Sequence, residues 1–114
     1  PLGSDVLMSA LYGFTTFNET KSLFVTKCFT KTIQSLGKEN VRKLWKRYNS
    51  RGHNVVHEMV MNQFWFPLIY LKQFLDDEDL FSERTEYGFT CDQVFYAFNV
   101  NGSYDLEVYE RLRN

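Results

Sequence analysis

His53 and His57 are the residues in this chain whose type and spacing come nearest to chemistry. Four apart on a helix they would share a face, as zinc-binding histidines do. Nothing near them in sequence supplies a third and fourth ligand in a recognised pattern. Cys28 could be drawn beside either histidine as a nucleophile with its base. It recurs, however, at helical spacing with Val25, Phe29, Ile33 and Leu36, where a thiol packs as a small hydrophobe. There is also no glycine-rich phosphate loop. We therefore expect no enzyme, no metal, no cofactor and no small-molecule ligand, and read the two histidines as ordinary polar or capping residues.

The remaining candidates are surfaces. Lys38, Arg42, Lys43, Lys46, Arg47 and Arg51 crowd one stretch and could hold a phosphate backbone, a contact that positions nucleic acid without reading it. The plainer reading is a solvated face. Downstream, Met59, Met61, Phe64, Trp65, Phe66 and Ile69 exceed what one helix face needs to fill a core. Aromatic residues and Met are enriched at protein interfaces, so these six are the candidate surface for a partner, most simply a second copy or a close paralogue.

Charge divides the chain in the same place. Residues 1–54 carry nine Lys/Arg against three Asp/Glu, whereas residues 55–114 carry four against eleven, and the two halves sum to the net charge of -1. Opposite halves of such a chain can attract each other or a partner.

The elements that must position these residues follow from periodicity and caps. Thr16 and Glu19 read as a capping box that opens a first helix, which Gly37 ends. A second helix at about 39–49 carries Val41, Leu44, Trp45 and Tyr48 on one stripe. Residues 54–75 predict a break or kink at Pro67, which can neither donate a hydrogen bond nor clear the preceding turn. Asp76-Asp77-Glu78-Asp79 suits the start of a fourth helix, closed by Gly88 and Phe89. Thr90 and Gln93 form a capping box for a fifth helix carrying Val94, Phe95 and Phe98. Ser103 starts a last one with Leu106, Tyr109 and Leu112 on one side. Beyond a possible short strand at 6–12, the class expected is all-α.

Residues 1–4 read as the scar of a protease-cleaved expression tag and are set aside. The rest, 5–114, is of a size for a single domain with a real core. At 44% hydrophobic and 18% aromatic it is not a disordered composition. No stretch approaches the roughly 20 apolar residues of a membrane span, so no membrane is expected. Two cysteines without CxxC spacing make a reduced intracellular compartment the default.

Phe14-Thr15, Glu19, Leu44-Trp45-Lys46 and Tyr70-Leu71-Lys72 with Leu75 resemble a Myb/SANT-type domain, particularly the Myb domain of repressor-activator telomere proteins. The likeness spans roughly 14–75. Residues 80–114, with Tyr87-Gly88-Phe89, Val94, Ala97 and Leu112, look like a compact helical triplet, and the combination is similar to the Myb-containing domains of nematode double-strand telomere-binding proteins. The resemblance implies a Myb/homeodomain-like three-helix core, 14–75, with a helical extension of about three helices, 76–114, in a nuclear chromatin protein. In that family the third helix enters the major groove. Here Lys72 is the only cation between 54 and 75, so we expect this module to bind DNA weakly or not at all and to homodimerise. Two alternatives stay open: sequence-specific double-stranded telomeric DNA binding through residues 54–72, and docking of another nuclear protein on the same surface.

Overall fold

A computed structural model describes Leu7, residues 21–98 and residues 103–114. All six of its extended elements are helices, and no strand occurs among the described residues. They are α1 (Lys21–Leu36), α2 (Lys38–Leu44), α3 (Val55–Asn62), α4 (Trp65–Phe74), α5 (Cys91–Phe98) and α6 (Ser103–Arg113). The expected strand at 6–12 is corrected at the one described position within it, since Leu7 is helical and buried. Thr16 and Glu19 lie outside the described residues.

Local chemistry explains most of the boundaries. Gly37, at φ 86°, ends α1 and its carbonyl already accepts from Val41 N–H at 3.0 Å, so α2 starts without a linker. The stripe of α1 buries Phe29 and Ile33 completely, with Leu36 packed at the margin. α2 is shorter than expected: it stops at Leu44, leaving Trp45 fully buried but turning Tyr48 off the stripe to 43% exposure.

The break in 54–75 falls earlier than Pro67. Gln63 takes a left-handed conformation at φ 61° and Phe64 N–H returns to Met59 O at 2.9 Å, which closes α3. Pro67 then sits in the first turn of α4, where backbone N–H groups have no intrahelical acceptor to lose.

The fourth helix expected from the acidic run does not form. Residues 76–90 are turns, anchored by buried Leu80 and Phe81, with Asp79 Oδ1 accepting from Phe81 N–H at 3.1 Å. Gly88, at φ 91°, belongs to a tight turn in which Thr85 N–H donates to Phe89 O at 2.8 Å. The capping box on α5 is as expected, with Thr90 N–H to Gln93 Oε1 at 2.8 Å and Gln93 N–H to Thr90 Oγ1 at 3.1 Å.

α1 packs on α2 and α4, while α3 packs on α4 and α5. One apolar cluster runs from Leu7 through Trp45, Met59 and Leu71 to Tyr109, so residues after 75 share the core of those before it.

Candidate functional site

The six candidate interface residues separate. Met59 is fully buried and Trp65 is 6% exposed, which corrects their placement on a partner surface. The reason is position: α3 is covered by α4 on one side and α5 on another, so Val55, Val56, His57, Glu58, Met59 and Val60 are all buried in succession. Phe64, Met61 and Ile69 are half-buried, Phe64 against the core. Phe66 is 61% exposed between buried Trp65 and Pro67.

Around Phe66 the structure adds apolar groups that the sequence did not single out. The Trp65 ring lies 6.1 Å from Phe95 and 6.4 Å from Tyr109, and its Nε1–H donates to Asp105 Oδ1 at 2.9 Å. Phe66 on α4, Tyr96 and Phe98 on α5 and Leu106 on α6 are exposed. Each of the three helices that contribute to the buried aromatic cluster thus also carries exposed apolar side chains. Spacing separates Tyr96 from the side that carries Val94 and Phe95, but not Phe98, four residues beyond Val94 at the end of α5.

The basic set also separates. Lys38 Nζ lies 3.6 Å from Asp76 and 3.8 Å from Asp77, and Arg42 pairs with Asp77 and, at 3.4 Å, with Glu78. The acidic run faces the basic helix of its own chain. Arg51 reaches to 3.7 Å from buried Glu58. Lys43, Lys46 and Arg47 remain exposed, with Lys46 over the Trp45 ring. Lys72 is bound to the Leu112 carbonyl.

His53 and His57 belong to a polar knot that ties α3 to the 76–90 segment. Asn54 caps α3, accepting from His57 N–H at 2.9 Å, while its own N–H donates to His57 Nδ1 at 3.0 Å. Since Nδ1 accepts, the ring's proton is on Nε2, which donates to the Glu83 carbonyl at 2.8 Å. Burial, more than any other influence, holds the His57 pKa below its ordinary 6.5. His53 Nδ1 meets Glu58 Oε2 at 2.7 Å. Asn54 Nδ2 has no acceptor among the described residues. The arrangement fixes a helix start and a loop; among the described residues no three His, Cys, Asp or Glu side chains group as metal ligands. Burial also raises the Cys91 thiol to about 12, leaving it a packed group.

No described helix is long and apolar enough to cross a membrane. Comparison with protein-family models, with curated proteins and with solved structures finds no match.

Proposed function

We propose that this chain is a non-enzymatic helical interaction module that pairs with a second copy of itself through the rim around Trp65. The observation that carries this reading is Phe66, 61% exposed at the start of α4 between buried Trp65 and Pro67, with Tyr96, Phe98 and Leu106 also exposed on α5 and α6. Exposed apolar groups scattered singly are ordinary, but several around one packed cluster mark a contact surface. Three of these four side chains are aromatic, a residue type enriched at interfaces. On this reading Met59 and Trp65 act from beneath, by holding α4 and α5 in register.

The resemblance to Myb-containing telomere proteins supplies the setting: a nuclear protein on repetitive chromatin, in which pairing this domain makes a second DNA contact by other domains intramolecular. Duplex reading through 54–72 finds little support. Of the residues it would need, His57 and Asn54 are buried in the knot, His53 is paired, and Lys72 is held by a carbonyl.

Light scattering tests the proposal. The domain is expected at twice 13.6 kDa at high micromolar concentration, and Phe66→Glu at 13.6 kDa with an unchanged circular dichroism spectrum. Burying two unpaired carboxylates in a twofold contact disfavours the dimer, and an exposed Glu leaves the monomer intact. A monomeric parent domain defeats the reading; a monomer that captures a different nuclear protein on the Phe66 surface replaces it with the hetero-interaction alternative.

A further inference from the structure

A second surface lies where the 84–89 turn meets the connection between α2 and α3, and it shares no residue with the Phe66 rim. Tyr48 Oη donates to the Arg84 carbonyl at 2.8 Å, and Glu86 N–H donates to Gly52 O at 2.8 Å. Gly52 makes the approach possible. Its φ is 79°, and a Cβ there would lie 2.8 Å from Tyr87 Cε2 and 3.0 Å from Glu86 Cβ. The Arg84 guanidinium in turn holds the turn closed through the Gly88 carbonyl at 2.8 Å. These contacts seat Tyr48 and Tyr87 on one surface, and Phe89 is carried by the same turn. All three rings are exposed, Tyr87 to 69%. Arg47 and Arg51, also exposed, flank Tyr48 and Gly52 in the chain, and Arg84 is exposed on the turn; Glu86 is the exposed acid beside them.

We propose that the face formed by Tyr48, Tyr87 and Phe89 with Arg47, Arg51 and Arg84 binds single-stranded nucleic acid. Three guanidinium groups against the exposed Glu86 carboxylate and the buried Glu58, 3.7 Å from Arg51, leave the face net positive and complementary to a polyanion. Charge alone would suit an acidic peptide equally, but the exposed rings add what a peptide of carboxylates does not use. Unpaired bases stack on aromatic and guanidinium planes, whereas a duplex keeps its base faces inside the stack. Arg is better suited than Lys to this work because its planar group both stacks and pairs with phosphate.

The test is fluorescence anisotropy with a labelled oligothymidylate about 16 nucleotides long, near the upper end of common site sizes. A duplex of equal length and a polyglutamate of equal charge are titrated beside it. The single strand is expected to bind best, and more weakly at about 200 mM than at about 50 mM salt. Tyr87→Ala should weaken it roughly 5- to 100-fold, the effect of losing one stacked base. Arg51→Gln should flatten the log–log salt dependence by about 0.7, one phosphate contact. Should Tyr87→Ala fail to fold, Phe89→Ala carries the same expectation. Absence of binding at high micromolar protein overturns the proposal, as does binding that both alanine variants leave intact. Equal affinity for the duplex or for polyglutamate does so too, the latter assigning the face to an acidic protein segment.

Discussion

Two clusters fasten the chain beyond residue 80 to α3 and α4, and they are made of opposite materials. In one, the Phe95 and Tyr109 rings stack at 4.3 Å, Phe81 meets Tyr109 edge-on at 5.9 Å, and Trp65 lies against both Phe95 and Tyr109. In the other, Asn54, His57 and the Glu83 carbonyl exchange directed hydrogen bonds with no exposure to water at Asn54 or His57. The first depends on area removed from water and tolerates small displacements. The second depends on which nitrogen carries a proton, so it specifies a geometry and responds to acid. A chain held both ways should therefore fail in two distinguishable manners.

The largest effect is expected from Phe95→Ala, which empties the centre of the ring cluster. Truncating a buried Phe costs about 3–5 kcal/mol, which in a domain with the usual stability of roughly 5–15 kcal/mol removes much of the margin. Denaturant melts should show the loss undiminished from neutral to mildly acid pH. A loss well under 2 kcal/mol would mean that α5 and α6 contribute little to the shared core.

His57→Phe should come next and behave differently. It leaves the Asn54 N–H and the Glu83 carbonyl without their partners, each worth roughly 1–3 kcal/mol when buried. The parent protein should also lose stability in acid. His57 has its folded pKa below the 6.5 of the unfolded chain, so the unfolded state takes up the proton first and stability drops as the pH falls through 6.5. His53, Glu58 and Glu83 face the same ring, Glu58 and Glu83 opposing the shift and His53 reinforcing it. Asp92, held below the carboxylate range first by the Arg113 side chain, adds a further loss only in stronger acid, below 3.8. Melting curves of parent and His57→Phe across pH 6.5 decide it: the parent's midpoint should slope and the variant's should be flatter.

The two clusters also differ in how far they could be read from sequence. Trp45 on its stripe and the Thr90–Gln93 capping box were visible because each is a local pattern of spacing or type. α3 was not, because its polar residues His57 and Glu58 are buried along with Val55, Val56, Met59 and Val60, so polarity does not mark the orientation. That is how Met59 came to be expected on a surface; Trp65, on α4, is buried by Phe95 and Tyr109, which lie far along the chain. The acidic run misled for a related reason. Four carboxylates suit a helix start, but here Asp76, Asp77 and Glu78 are held by Lys38 and Arg42, over thirty residues earlier in the chain, and Asp79 accepts from Phe81 N–H. Tyr87 and Phe89 flank Gly88 in the sequence, which says nothing of their exposure; Tyr87 is placed by the packing of its turn on Gly52.

Asn54→Ala sharpens the comparison on the polar side alone. It removes the side chain that caps α3 and keeps the His57 link to Glu83, so the cost should be near 1 kcal/mol, within the 0.5–2 range for lost caps. Hydrogen exchange should locate the loosening in the first turn of α3, with the ring cluster's amides unaffected. Equal loosening across α5 and α6 would show that knot and rings open as one unit.

The smallest effect is expected from Asp77→Asn, which cuts a third fastening, the ion pairs between α2 and the acidic run. Asp77 faces Lys38 and Arg42, and the side chains are 53%, 44% and 34% exposed, so water screens the pairing from several sides. Such exposed pairs are worth about 0.2–1 kcal/mol and weaken further in salt. Arg42 retains Glu78, which limits the loss again. The midpoint should therefore move less than for Asn54→Ala, and the difference from the parent should vanish at high salt, where neither Phe95→Ala nor His57→Phe recovers. If Asp77→Asn instead matched Phe95→Ala, attraction between the oppositely charged halves, rather than either buried cluster, would be what holds the C-terminal segment in place.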